Sequence, residues 1–158
     1  MTEPSSALVT RAAILAEART WIGTPYHHQA SLRGAGVDCI GLVRGVYRAI
    51  VGREAEAIPG YGPDWSETTG EETLIAAARR HLAETPIEAA RTGDVLIFRY
   101  RDRYLAKHAA ILVGSNSSPL GTGSIIHAIE GARVCEVPLT PWWRRRIAAA
   151  FTFPGVID

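Results

Sequence analysis

Apolar residues recur at three- and four-residue intervals near the start of the chain. The recurring residues are Leu8, Ala12, Leu15, Ala18 and Ile22. This spacing places apolar side chains on one face of a helix, which we expect over about Ser6 to Ile22. Gly23 is expected to end the helix, and Pro25 prevents its continuation.

A second helix is predicted to begin at or just after Asp38, following a loop from Tyr26 to Val37. It is apolar around much of its circumference, which is typical of a buried helix. Gly41 and Gly45 would let another element approach its backbone closely, at a cost in helix propensity. Gly52 is in position to cap its C-terminus.

The middle of the chain predicts a loop followed by a third helix. Ile58 to Gly70 is rich in Pro, Gly and polar residues, as irregular segments are. Thr69 and Glu72 have capping-box spacing, with Thr69 as the N-cap. A helix over about Glu71 to Glu84 is therefore expected.

The second half of the chain changes to short apolar runs separated by turn residues, which predict strands. The predicted strands are Asp94–Phe98, His108–Val113, Ile125–Ile129, Arg133–Val137 and Ala148–Phe153. A charged turn is expected at Tyr100–Tyr104 and a polar loop at Ser115–Ser124. Turns at such short intervals favour an antiparallel sheet. Helices followed by about five strands predict a single α+β domain over residues 1–158.

Composition adds little about partners. The chain has 158 residues, 47% hydrophobic and 21% charged, with a formal net charge of +1. This balance gives no reason to expect a nucleic-acid or membrane surface, and no apolar run is long enough to span a membrane. Charges interrupt the first 20 residues, so we expect no secretory signal and synthesis in the cytoplasm.

Cys39 lies where a glycine-containing loop becomes a helix. Backbone N–H groups at a helix N-terminus favour an anion, so we expect the pKa of this thiol to fall to about 3.5–7.5. The same N–H groups could stabilise the oxyanion formed when a thiolate attacks a carbonyl. A buried structural cysteine is the competing interpretation.

A thiolate mechanism also needs a base and a group that orients the base. His108 begins one apolar strand, and His127 lies within another. If these strands are antiparallel neighbours, the two imidazoles could lie on one face, and one would fix the tautomer of the other. Either histidine alone is more often an ordinary core residue.

The remaining histidines, the second cysteine and a tryptophan pair support weaker functional hypotheses. Adjacent histidines such as His27 and His28 seldom face one metal ion, so we expect no metal and no cofactor. We expect one of the two to line the cleft, with His28 as the candidate. Cys135 is expected to be a small strand residue, and a Cys39–Cys135 disulfide is disfavoured. Trp142–Trp143 could contact a glycan or a partner protein, although a packing cluster under the last strand is favoured.

Five blocks in order resemble the NlpC-type branch of the papain-like peptidases, which cut bacterial cell-wall peptides. The blocks are Gly23–Tyr26, Asp38–Val43, Gly93–Val95, His108–Gly114 and Ile126–Ala128. The resemblance implies a papain-like core in which a central helix bearing the nucleophile packs on the antiparallel sheet.

The resemblance also implies site residues. Cys39 matches the nucleophile, His108 the base and His127 the polar residue that orients the base. Tyr26 matches a tyrosine that helps to bind the oxyanion or the substrate. Asp38 matches an acidic residue with a substrate-binding or structural role, and an N-cap is its simpler interpretation.

Two departures point to a particular setting. Typical members carry Ser where this chain has Ile40, and a Gly pair where it has Gln29–Ala30. Tyr26–Ser31 together with Asp38–Gly41 is similar to the phage-tail and gene-transfer-agent version of the family. This implies an enzyme of a phage-like particle that opens the cell wall, with other particle proteins as partners. An amidase or acyltransferase on another acyl substrate, or a non-catalytic tail-assembly or wall-binding module, stays open.

Overall fold

The structure, a computed structural model, describes residues 8–55, 73–101, 104–114 and 123–158. The predicted loop at 58–70 and its capping box lie outside these ranges. So do the first residues of the predicted N-terminal helix and most of the predicted polar loop at 115–124. The fold and the site are therefore described from the remaining elements.

The first helix, α1, spans Arg11–Arg19. Thr10 is its N-cap, and the Thr10 side chain accepts a hydrogen bond from the Ala13 N–H at 3.1 Å. The helix begins later than predicted, because Val9 is extended and forms a parallel bridge with Val156 near the other end of the chain. Pairing across that distance has no signature in local periodicity.

The second helix, α2, spans Cys39–Val51 and confirms the predicted start and caps. Asp38 is its N-cap, and Gly52 ends it in the left-handed conformation at φ 86°. The predicted close approach is also present: a Cβ on Gly45 would lie 2.1 Å from the ring of Trp21. Glycine at this position lets the Trp21 ring pack directly on the helix backbone.

The predicted loop over Tyr26–Val37 contains a small antiparallel ribbon, which the sequence analysis missed. Its strands are β1, Ser31–Leu32, and β2, Gly36–Val37. Two residues are too few to show the alternation that identifies a strand. The ribbon matters because it leads directly into the start of α2.

The third helix, α3, spans Thr73–His81 and ends earlier than the predicted Glu84. Residues Ala83–Thr85 form strand β3 instead, because they pair with the last strand, β8, at Ile147–Thr152. None of the helices in the described ranges is long and apolar enough to cross a membrane.

Six strands of the described residues form one antiparallel sheet in the order β3-β8-β4-β5-β6-β7. Its other strands are β4, Val95–Phe98; β5, His108–Val113; β6, Ser124–His127; and β7, Cys135–Pro138. A short helix, α4, spans Pro141–Arg144 between β7 and β8. All five predicted strands are present, β5 with its predicted bounds, and β3 is the sixth.

The sheet is covered on both faces, which explains its continuous apolar runs. All four residues of β4 are buried. Val95 and Ile97 belong to the core beneath the helices, whereas Leu96 and Phe98 belong to a second cluster on the opposite face, where Trp143 packs. The observed fold is α+β, with α2 packed against β5.

Candidate active site

Cys39 is the first residue of α2, and Asp38 fixes its position. One carboxylate oxygen of Asp38 accepts a hydrogen bond from the Gly41 N–H at 2.7 Å, and the other accepts one from the Gln29 N–H at 2.8 Å. Asp38 is only 2% exposed. Its carboxylate therefore caps the helix and anchors the preceding loop.

The loop before α2 packs tightly on the first turn of the helix. A Cβ on Gly41 would lie 1.9 Å from the carbonyl oxygen of Ala30, so only glycine fits there. The Asp38 N–H donates to the same carbonyl at 3.2 Å, and the Ser31 hydroxyl donates to the Gly41 carbonyl at 2.6 Å. These contacts hold the loop-to-helix junction that carries Cys39.

The thiol of Cys39 lies against the beginning of β5. Its Sγ is 3.9 Å from the carbonyl oxygen of Lys107, to which the thiol donates. The backbone N–H groups of Ala109, Cys39 and Ile40 interact with the sulfur and favour its anion. Cys39 is thus placed at the strand end that bears the His108 imidazole.

The resting thiol is neutral. Burial of the sulfur is the largest cause that raises the pKa of Cys39 to about 12, and the carboxylate of Asp38 raises it further. The surrounding N–H groups offset only part of this increase. The expectation of a lowered pKa is therefore wrong, because desolvation outweighs the helix N-terminus.

His108 and His127 form the predicted pair on adjacent antiparallel strands. Nε2 of His108 lies 3.0 Å from Nδ1 of His127, and the residues are 3% and 1% exposed. This contact leaves Nδ1 of His108 for a proton from the thiol. In that tautomer Nε2 of His108 donates to Nδ1 of His127, so His127 holds the His108 ring in one orientation.

Both histidines are neutral at neutral pH. Burial lowers the pKa of His108 to about 3, and the neighbouring His127 lowers it further because two adjacent imidazolium charges repel. Burial also lowers the pKa of His127. A neutral thiol beside a neutral imidazole suits general-base activation when substrate binds.

Trp143 on α4 covers the histidine pair. The centroid of one of its rings lies 5.4 Å from that of His108, with 30° between the planes, and 5.3 Å from that of His127. Phe98 lies 5.7 Å from His108 and 5.1 Å from Trp143. The favoured packing interpretation of this tryptophan is correct, and what it packs against is the candidate base. Trp142 beside it is 43% exposed.

Tyr26 and His28 occupy the loop before α2. The pKa of Tyr26 is raised to about 12, first by burial and then by negative charge at Cys39, Asp38 and Glu130. Tyr26 therefore interacts electrostatically with the thiol. His28 lies beside Asp38, with Nδ1 3.9 Å from the carboxylate.

Of the other predicted groups, Cys135 on β7 lies opposite His127 on β6, whereas His27 lies in the loop before α2. The described ranges contain no cluster of three His, Cys, Asp or Glu side chains that could hold a metal ion. His27 contacts the carbonyl of His28 through Nδ1 at 3.3 Å. Cys39 and Cys135 are both free thiols, and Cys135 is a partly exposed residue of β7.

The sequence predicts Tyr100 only as part of a charged turn, yet its ring packs on the candidate base. Its ring stacks on His108, with centroids 5.7 Å apart and 29° between the planes. The register pairs Phe98 with His108, so a residue two positions beyond Phe98 lies close to the imidazole. Only the pairing register of β4 with β5 could have predicted that Tyr100 lies beside His108.

A comparison with protein families identifies the family of this chain. The model of the NlpC/P60 family matches residues 23–152. This range includes Tyr26, Cys39, His108, His127 and Trp143. The chain belongs to the NlpC/P60 family. Members of this family are cysteine peptidases and peptidoglycan hydrolases.

Solved NlpC/P60 structures resemble this chain. The NlpC/p60 domain of the peptidoglycan hydrolase SagA is 27% identical, with a TM-score of 0.60 over 92% of this chain and 100% of that domain. A lipoprotein-like NLP/P60 protein of Staphylococcus aureus is 20% identical, with a TM-score of 0.61 over 99% of this chain and 46% of that chain.

An NlpC/P60 family protein of Bacillus cereus is 19% identical, with a TM-score of 0.64 over 92% of this chain and 41% of that chain. At such identities the last two structures show the fold alone, and this chain spans less than half of each. None of the curated proteins compared with the chain matches it.

Proposed function

We propose that this NlpC/P60 domain is a cysteine endopeptidase that hydrolyses the stem peptides of peptidoglycan. The observation that carries the proposal is the placement of Cys39 at the N-terminus of α2, against the strand end where His108 is hydrogen-bonded to His127. A nucleophile, a base and an orienting group are the parts that acyl transfer through a thiol requires.

The reaction begins when the Cys39 thiol transfers its proton to Nδ1 of His108 and its sulfur attacks the scissile carbonyl carbon. Negative charge then develops on the carbonyl oxygen. The N–H of Cys39 and the hydroxyl of Tyr26 stabilise this oxyanion. His127 accepts the hydrogen bond from Nε2 of His108 and disperses the imidazolium charge.

The protonated His108 then donates its Nδ1 proton to the leaving amine, and the C–N bond breaks. The acyl group remains on Cys39 as a thioester. Water attacks this thioester while Nδ1 of His108 takes a proton from the water. The C–S bond then breaks, His108 returns the proton to the sulfur of Cys39, and the new carboxyl group is released. Every proton transfer uses Nδ1 of His108, so the enzyme returns to its starting state at the end of the reaction.

The substrate class follows from the family and from its relative SagA, which is a peptidoglycan hydrolase. Within that class we propose the bond between D-γ-glutamate and the diamino acid. We also propose that the enzyme acts in a phage-tail or gene-transfer-agent particle that opens the cell wall. The similarity of Tyr26–Ser31 and Asp38–Gly41 to that branch supports this setting, with other particle proteins as partners.

Digestion of purified sacculi from several bacteria, with product masses as the readout, tests the proposal. Cleavage at the proposed bond leaves a new γ-carboxyl on D-glutamate and a free amine on the diamino acid. An amidase or acyltransferase would leave different termini. A non-catalytic module would leave the sacculi intact, and its Cys39 would react with a thiol probe no faster than a thiol in an unfolded chain.

A further inference from the structure

Tyr100 is held at the site by its backbone. It follows β4 by two residues, and its carbonyl accepts a hydrogen bond from Nε of Arg146 at 3.1 Å. The Arg99 N–H donates to the carbonyl of Arg146 at 2.8 Å. Arg146 is fixed in turn, because it donates to the carbonyl of Trp142 at 2.8 Å and its guanidinium lies 3.7 Å from a Trp142 ring centroid. The backbone, rather than the hydroxyl, therefore positions this tyrosine.

The rings of Phe98, Tyr100 and Trp143 surround the candidate base, His108. The Tyr100 ring stacks on His108 at 5.7 Å, and its centroid is 6.2 Å from that of Trp143. Trp143 in turn stacks on His108 at 5.4 Å. Contact with both rings restricts rotation of the imidazole and excludes water from it.

The hydroxyl of Tyr100 is unused by the fold. In the part of the chain that the structure describes, no group forms a hydrogen bond with it, and the same holds for the hydroxyl of Tyr26. Tyr100 also lines an open cavity with Arg101, Arg145 and Arg146. An unpaired donor at the wall of an open cavity is available to a bound ligand.

Both tyrosines interact electrostatically with the Cys39 thiol. Burial raises the pKa of Tyr100, and negative charge at Cys39 and at Tyr26 raises it further. The phenol of Tyr100 is therefore within electrostatic reach of both groups and stays protonated at neutral pH. A protonated phenol donates a hydrogen bond, and a peptide carbonyl is the acceptor that a stem peptide offers.

We propose that Tyr100 is a substrate-binding residue whose hydroxyl donates a hydrogen bond to a carbonyl oxygen of the bound peptide, while its ring positions His108. This inference rests on the proposed function. It assigns to the cleft a second tyrosine, on the β4 side, in addition to Tyr26 in the loop before α2.

Two variants separate the two roles. Tyr100→Phe removes only the hydroxyl, and its kcat/KM for a defined stem peptide should fall about 3- to 10-fold, as expected for one neutral hydrogen bond. Its thermal unfolding should match that of the wild type. Tyr104→Phe is the matched control, because it removes a hydroxyl from a nearby tyrosine that is 44% exposed.

Tyr100→Ala removes the ring as well. Its effect is measured as the rate of alkylation of Cys39 as a function of pH, an assay that needs no peptide substrate. All proteins carry Cys135→Ala so that only Cys39 reacts. Neutral His108 is the base that takes the thiol proton, so the alkylation rate falls when His108 is protonated. The titratable groups around His108 are His127, Cys39 and Tyr100, and only Tyr100 is changed.

Without the ring, water reaches His108 and its pKa rises towards 6.5. The acid limb of the alkylation rate should therefore move to higher pH in Tyr100→Ala and stay in place in Tyr100→Phe. An unmoved limb in Tyr100→Ala overturns the positioning role.

The outcomes of the cleavage assay are equally distinct. An unchanged kcat/KM in Tyr100→Phe, or an equal loss in Tyr104→Phe, overturns the substrate contact alone. A wild-type chain that cleaves no stem peptide overturns the proposed function together with that contact, whereas the alkylation profiles still decide the role of the ring.

Discussion

The buried base gives the protein a defined response to acid. His108 is 3% exposed among Phe98, Tyr100 and Trp143, and this burial lowers its pKa from 6.5 to about 3. The unfolded chain binds a proton on this residue near pH 6.5, whereas the folded chain does not. The stability contributed by the neutral imidazole is therefore fully present above pH 6.5 and is lost as the pH falls towards 3.

The size of the effect follows from linkage. One proton bound only by the unfolded state changes the free energy of unfolding by about 1.4 kcal/mol per pH unit. Between pH 6.5 and 4.5 the loss from His108 is then about 2 kcal/mol, after allowance for partial protonation near pH 6.5. This is a large fraction of the stability of a typical small domain, about 5–15 kcal/mol.

Urea unfolding of the wild type and of His108→Phe between pH 4.5 and 7.5 measures this contribution. The variant keeps an aromatic ring at the position but binds no proton. Its stability should fall less steeply with acid, so the difference between the two proteins changes by about 2 kcal/mol between pH 6.5 and 4.5. Parallel curves for the wild type and His108→Phe would refute the assigned pKa shift.

Three further substitutions test neighbouring parts of the account. Asp38→Asn keeps a capping side chain but removes a charge that raises the pKa of Cys39, so alkylation of Cys39 at neutral pH should become faster; an unchanged rate contradicts the electrostatic argument. Gly45→Ala should lower the free energy of unfolding by about 1–3 kcal/mol in urea titrations, because the new Cβ meets the buried Trp21 ring; a gain in stability contradicts the observed packing. Cys135→Ala should cleave muropeptides at nearly the wild-type rate in a product assay, since Cys135 has no proposed role in the reaction.

Local signals predicted some elements well. Helix α2 starts and stops at residues with specific capping chemistry, Asp38 and Gly52, and the structure uses both as caps. Strand β5 is an uninterrupted apolar run that ends before Gly114, so its bounds are visible in the sequence. Elements whose limits depend on their own residues can be predicted from those residues.

Elements defined by distant partners could not be predicted in the same way. Helix α3 ends early because Ala83–Thr85 pairs with β8, which lies more than 60 residues later. The insertion of β8 between β3 and β4 is likewise set by pairing across the whole sheet. Helical periodicity contains no information on either contact.

The site also combines features that local residues predict with features that depend on distant contacts. The contact between His108 and His127 could be predicted because a histidine is unusual within an apolar strand and each of two predicted strands contains one. Tyr100 was missed because only the register of β4 with β5 places it on the imidazole. The pKa of Cys39 was predicted in the wrong direction because burial of the sulfur depends on tertiary packing.

Cleavage of a defined muropeptide by the wild type and by Cys39→Ala, with product masses and rates measured side by side, tests the central claim most directly. Both proteins are first shown to be folded by their urea unfolding curves. The account predicts that the wild type releases the product with a new γ-carboxyl on D-glutamate and that Cys39→Ala releases none above background. Undiminished cleavage by folded Cys39→Ala would contradict the assignment of Cys39 as the nucleophile.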